Sequence, residues 1–181
     1  MADDYIKHLR QLDSLSLDRL MSYYGQDVWN YAYMITKRRE LSDDIAQDVF
    51  LQAYRHAASF RGESSAKTWL LRITRNISYN YLRSAVWRRM ILTTTFQSKD
   101  SGPSAEQLYL EQEAANEVWA AVFKLPVKFR EVMLLYARHQ LEVKEIAAIL
   151  GLSVGTVKSR LWRARARISA QLAKEATLHG Q

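Results

Sequence analysis

The sequence predicts an all-α protein made of two small helical domains joined by a flexible linker, the second a four-helix domain carrying a helix-turn-helix. Three observations point there. Only 2 prolines and 6 glycines occur in 181 residues, and alternating β-branched runs are nowhere sustained. Apolar residues recur at helical spacing in both halves. Between the halves, residues Thr93–Ser104 lose that periodicity, and Lys99-Asp100-Ser101-Gly102-Pro103-Ser104 has linker composition. The expected division is residues 1–92, a linker over 93–111, and 112–181.

Taken in order, Ala2 to about Asp13 is polar and expected to fray. From Leu15 to Lys37, apolar Leu17, Leu20, Met21, Tyr24, Val28, Tyr31, Ala32 and Ile35 predict one long helix, or two short ones broken near Gly25. Lys37-Arg38-Arg39-Glu40 reads as a charged connection, after which Ser42 is expected to cap a helix from Asp43 to about Ala57. Ile45, Ala46, Val49 and Ala53 form its inner side. Its outer side carries Asp44, Gln47, Asp48, Leu51, Tyr54 and Arg55. Apolar groups among carboxylates suit protein docking better than nucleic acid; the plainer alternative is that Leu51 and Tyr54 meet another helix of the same domain.

Ser59 to Ser65 is a loop by composition, including Phe60, Arg61 and Ser64. It leads into a helix over Lys67–Arg83 that buries Trp69, Leu70, Ile73, Ile77 and Tyr81, with Asn76 and Asn80 near the buried side. The other side shows Thr68, Arg72, Arg75, Tyr79 and Arg83. Cations beside an aromatic suit unpaired nucleic acid, where bases stack and phosphates are neutralised, and a polar loop at such a helix's N-terminus suits an extruded base. A solvated amphipathic helix is the alternative.

Helix resumes over Ala105–Lys124, with Val118, Val122 and Phe123 inward. Pro126 breaks it and fits the first turn of the next helix, Phe129–His139, which buries Val132, Met133 and Tyr136. Val143, Ile146, Ala147 and Leu150 then line one face of a helix over Glu142–Leu150; Gly151 supplies positive φ, and Ser153 caps a last helix over Val154–Leu172.

That last helix separates into two faces at about 100° per residue. Val157, Leu161, Ala164 and Ile168 pack inward, whereas Gly155, Ser159, Trp162, Arg163 and Ala166 face out. Lys158 and Arg165 flank the outer crest on one edge, Arg160 and Arg167 on the other, and no acidic residue occurs from Ser153 to Lys174. A small, hydrogen-bonding crest with cationic shoulders suits a major groove, crest to base edges and shoulders to phosphates. Arg163 suits a guanine edge, and Gly155 lets first-turn N–H groups approach a phosphate. A merely solvated basic helix would not explain Trp162 opposite the packing stripe.

The net charge of +7 favours a polyanionic partner, and Lys158, Arg160, Arg163, Arg165, Arg167 and Lys174 concentrate it in this one segment. The absence of cysteine excludes disulfides and thiolate metal sites. His8, His56, His139 and His179 lack ligand spacing, so no metal, cofactor or catalytic constellation is expected. The N-terminus is polar and acidic, and no apolar run approaches membrane-spanning length, which predicts a cytoplasmic protein.

The order of parts resembles that of extracytoplasmic-function sigma factors, the compact two-domain class of bacterial RNA polymerase specificity subunits in the sigma-70 superfamily. The resemblance rests on Asp43-Asp44-Ile45-Ala46-Gln47-Asp48-Val49-Phe50, on Phe60 with Thr68-Trp69-Leu70 and Arg75-Asn76, and on the linker. Leu125-Pro126 with Arg130, Glu145-Ile146-Ala147, Gly155 through Leu161, and Arg163-Ala164-Arg165 complete it. It covers about Leu15 to Leu172.

The resemblance implies a dissociable promoter-specificity factor, not an enzyme, with no cofactor or small-molecule substrate. Asp44, Gln47, Asp48, Leu51, Tyr54 and Arg55 would bind the clamp of the polymerase largest subunit, and the polymerase flap is a further expected contact. Phe60, Arg61, Ser64, Ser65, Lys67, Thr68, Trp69, Arg72, Arg75, Asn76, Tyr79, Asn80 and Arg83 would melt and hold the −10 element. Ser153, Gly155, Thr156, Lys158, Ser159, Arg160, Trp162, Arg163 and Arg167 would read the −35 element. An anti-sigma factor, often membrane-bound, would hold the protein inactive at the inner face of the membrane. No cleavable extension or added C-terminal domain is expected. The rival reading is a helix-turn-helix regulator that binds DNA without polymerase, as a dimer on repeated half-sites. An enzyme acting on nucleic acid is a second rival, without a catalytic constellation to support it.

Overall fold

The structure is a computed structural model that describes residues 14–57, 60, 64–91 and 117–179. The expected linker and Arg61 lie outside the described residues. Seven helices are described: α1 (Ser14–Thr36), α2 (Arg39–His56), α3 (Ala66–Ile91), α4 (Glu117–Lys124), α5 (Val127–Met133), α6 (Val143–Leu150) and α7 (Val154–His179). No strand occurs among the described residues.

Helix α1 is single and runs through Gly25 without a break. It ends at Lys37, whose φ of 55° reverses the chain. Helix α2 starts at Arg39, four residues earlier than expected, so Ser42 lies inside its first turn rather than capping it. The Ser42 hydroxyl donates to the Arg38 carbonyl at 2.8 Å and is fully buried, close to the Thr36 hydroxyl at 3.3 Å. A short hydroxyl is used here to satisfy an acceptor at a tight corner rather than to start a helix.

Helices α1, α2 and α3 enclose one core of Leu20, Val28, Ala32, Ile45, Val49, Phe50, Ala53, Ala66 and Leu70. The second half builds its core from Ala121, Val122, Phe129, Val132, Leu135, Ile146, Val157, Leu161, Ala164 and Ile168. Val118 stays 44% exposed, so the inward stripe of α4 begins one turn later than expected. After Met133 the chain widens into a π-helical turn over Leu134–Arg138, in which the His139 N–H donates to the Leu134 carbonyl at 3.1 Å. The wider turn breaks the register set by Val132 and Met133. Tyr136, expected inside, is 40% exposed under the Arg165 guanidinium, which lies 5.0 Å from its ring.

The two halves share a core. Tyr31, Met34 and Ile35 of α1 and Leu71 of α3 belong to the same buried cluster as the second half's helices. Around it, Arg130 of α5 donates to the Met34 carbonyl, and to those of Ile35 at 3.5 Å, Phe123 at 3.1 Å and Leu125 at 3.2 Å. Met34 and Ile35 belong to the last turn of α1, where carbonyls lack intrahelical partners and a cation is favourable. Arg130 of one half therefore caps a helix of the other.

Candidate nucleic-acid and polymerase interfaces

The helix-turn-helix is built as its local chemistry dictates. Glu142 and Glu145 form a capping box at the start of α6, with the Glu142 N–H donating to Glu145 Oε2 at 2.9 Å. Gly151 ends α6 at φ 63°, a left-handed position where a Cβ is strained. Ser153 caps α7, its Oγ accepting the Thr156 N–H at 3.1 Å. Val157, Leu161, Ala164 and Ile168 are buried as predicted.

The outer crest of α7 stands free of the fold. Ser153, Gly155, Lys158, Ser159, Trp162 and Arg163 are exposed, Thr156 and Arg160 half-buried, and Trp162 reaches 71% exposure. No heavy atom except Ser153 Oγ, at 3.9 Å, would meet a Cβ added at Gly155, so the first turn's backbone is open to a ligand. Arg167 is exposed but lies over the Phe129 ring at 5.2 Å, a cation–π contact that orients it along the shoulder. The crest is exposed on the side that the helical spacing predicts.

On the first half, Asp44, Gln47, Asp48, Leu51, Tyr54 and Arg55 share one exposed face of α2, and Leu51 and Tyr54 are each 48% exposed. They are not turned into their own domain. Asp48, Leu51 and Arg55 also border a groove of about 410 Å³ between α2 and α3. There Tyr81, placed inside by the wheel, is half-buried and donates its hydroxyl to Asp48 at 2.7 Å.

The candidate −10 face departs from the wheel in several places. Asn76 and Asn80, expected near the buried side, are exposed together with Arg72, Arg83 and Ser64. Thr68, expected outside, is 5% exposed because the second half covers it; its hydroxyl donates to Glu145 of α6 at 3.0 Å. Ser65 instead caps α3, accepting the Thr68 N–H at 3.1 Å. Trp69 is only half-buried, its ring 5.0 Å from that of Phe60. Lys67 pairs with Asp27 of α1 at 3.0 Å.

Arg75 and Tyr79, also expected outside, turn onto Glu131 of α5. The Arg75 Nε lies 3.0 Å from Glu131 Oε1, and the Tyr79 hydroxyl donates to Oε2 at 2.8 Å. Tyr31 donates to Oε1 at 3.2 Å. Glu131 is 1% exposed. Burial first, then the Glu131 charge, push the Tyr79 phenol up to about 12 and that of Tyr31 well above its ordinary value, so both remain donors. Sequence reading assigned Glu131 no role. Its signal was a carboxylate set among Phe129, Arg130, Val132 and Met133, a position that demands a partner when buried.

Comparison with known proteins places both halves. Residues 20–88 match the family model for sigma-70 region 2, and residues 115–168 match that for sigma-70 region 4. The match in the first half disfavours the reading as a free-standing helix-turn-helix regulator. The chain is 36% identical over 161 residues to a probable RNA polymerase sigma factor RfaY of Xanthomonas campestris, covering 85% of this chain but 40% of that longer protein. It is 32% identical to the extracytoplasmic-function RNA polymerase sigma-E factor of Haemophilus influenzae, covering 92% of this chain and 93% of the relative. The solved structure of the sigma factor RpoE with the anti-sigma factor NepR from Bartonella quintana superposes with a TM-score of 0.69 at 25% identity, covering 86% of this chain and 96% of that one. The chain therefore belongs to the extracytoplasmic-function sigma factors of the sigma-70 family, alternative sigma factors that bind RNA polymerase core and direct promoter-specific transcription initiation.

Proposed function

We propose that the two halves act as separate instruments on one promoter. The unit 1–92 docks on the clamp of the polymerase largest subunit through Asp44, Gln47, Asp48, Leu51, Tyr54 and Arg55. It melts the −10 element with Phe60, Arg61, Ser64, Ser65, Lys67, Thr68, Trp69, Arg72, Arg75, Asn76, Tyr79, Asn80 and Arg83. The unit 112–181 lays α7 in the −35 major groove through Ser153, Gly155, Thr156, Lys158, Ser159, Arg160, Trp162, Arg163 and Arg167, beside the polymerase flap, and residues 93–111 connect the two. The protein is a non-catalytic subunit that works in the cytoplasm without cofactor or small-molecule substrate.

The observation that carries this reading is the α7 crest: Trp162 at 71% exposure between exposed Lys158 and Arg163, on a helix with no acid before Glu175. An anti-sigma factor, bound to the membrane or free, is the proposed inhibitor, a reading supported by the Bartonella complex. Among the described residues, no helix of this chain is long and apolar enough to cross a membrane. In vitro transcription with bacterial core polymerase and a promoter library tests the function: specific initiation that depends on added protein is expected. Dimeric footprints formed without polymerase would overturn it.

A further inference from the structure

The second half meets the −10 helix directly in this structure. Glu131 of α5 holds both Arg75 and Tyr79 of α3, at 3.0 and 2.8 Å. Elements centred at −35 and −10 are about 25 base pairs apart, roughly 85 Å along B-DNA at about 3.4 Å per base pair. Two halves packed on one shared core cannot reach both at once. The structure is a closed form, and promoter engagement requires the halves to part.

Besides the shared apolar core and the Thr68–Glu145 hydrogen bond, two neighbouring residues of α5 join them. Arg130 reaches the end of α1, and Glu131, itself buried, gathers Tyr31, Arg75 and Tyr79 into one cluster. The Arg75 guanidinium balances the Glu131 charge, and the two phenols supply the remaining donors, so the cluster is satisfied only while closed. We infer that Glu131 is an autoinhibitory latch, which keeps the free protein closed by occupying Arg75 and Tyr79. The occupation of a DNA-binding face rests on the function proposed above; the latch as a clasp between the two halves does not.

Closure then lowers apparent DNA affinity in proportion to the small fraction of molecules that are open. Glu131→Gln keeps the side chain's shape and removes the charge that Arg75 requires, which favours the open form.

The native chain contains no cysteine, so a pair introduced at the exposed positions Ser22 of α1 and Ala170 of α7 can be labelled without background. Pulsed dipolar spectroscopy on the full chain, with neither DNA nor polymerase, should give one narrow distance distribution in the Ser22→Cys/Ala170→Cys protein. The added Glu131→Gln substitution should bring a broad population of longer distances. Tyr31→Phe, which removes one neutral donor, should open the pair to a smaller degree and serves should Glu131→Gln fail to give folded protein by circular dichroism. A second readout is binding of a −10 non-template single strand to free protein, expected to be about tenfold tighter for Glu131→Gln.

A broad distribution in the parent pair, or distances unchanged by both substitutions, overturns the latch. Longer distances with unchanged strand binding keep the clasp and refute only the assignment of Arg75 and Tyr79 to DNA.

Discussion

Replacing Arg130 with Met tests how the two halves are joined. The guanidinium is 5% exposed and donates to four carbonyls, those of Met34 and Ile35 in α1 and of Phe123 and Leu125 at the end of α4. Methionine keeps the apolar stem and deletes every donor. If half of the four acceptors remain dry, the cost is about 2–6 kcal/mol, at about 1–3 kcal/mol for each unsatisfied buried group. Losing a cation from the C-terminus of α1 adds about 0.3–1 kcal/mol. A central loss of about 4 kcal/mol corresponds to a melting point lowered by roughly 8–16 °C for a chain of this size. Urea denaturation followed by circular dichroism measures the free energy, and calorimetry the melting point. Arg130→Lys should recover only part of the loss, because an ammonium cannot span four acceptors that a planar fork reaches. A loss below about 1 kcal/mol in Arg130→Met, or full recovery in Arg130→Lys, would refute the role of Arg130 as a shared cap.

Gly151→Ala should cost about 1–2 kcal/mol in urea denaturation, because φ is 63° there and a Cβ would meet nothing within 4 Å, leaving backbone strain as the whole effect. His139 is buried, its imidazole held down to about 4 mainly by burial and further by Lys67 and Arg138, with Asp27 opposing. Its folded value lies below the unfolded one near 6.5, so the unfolded chain binds the extra proton first. Stability is full above about pH 6.5 and falls as pH drops toward 4, by an amount on the order of 3 kcal/mol for this one group. Denaturation of His139→Phe across that range should show a shallower acid slope; an unchanged slope would assign the loss to carboxylates. Arg163→Ala should lose about 1–3 kcal/mol of discrimination between the cognate and a substituted −35 element in competitive transcription, with no change in melting point.

The two faces of α7 were legible because its inner stripe and its caps are local: period, Gly151 and Ser153 determine them without reference to the rest of the chain. The exposed face of α2 was legible for the same reason. The outward side of α3 was not. A helical wheel separates polar from apolar residues, and Arg75, Tyr79 and Thr68 are polar; yet each is covered, because a polar residue can face a buried partner as well as water. That partner is more than fifty positions away in sequence, beyond any local pattern. Ser42 and Tyr136 failed for a smaller reason, since a boundary moved by four residues and a π-helical turn each shift the register that the wheel assumes constant.

Under the function proposed above, Arg75 and Tyr79 let one face serve two purposes. A guanidinium and a phenol supply donors in a fixed geometry, and any anion with two acceptor oxygens fits them. Glu131 presents such an anion from within the chain, and a DNA phosphate presents one from outside. The exchange conserves hydrogen bonds, so the balance is set by what else changes on opening: the apolar contact of Tyr31, Met34, Ile35 and Leu71 with the second half, and the Arg130 cap. Those contacts are lost without replacement by DNA alone. Free promoter DNA should therefore open the wild-type chain poorly, and a partner that covers apolar surface while it separates the halves should open it well, which is what the polymerase core does if its clamp and flap each take one half.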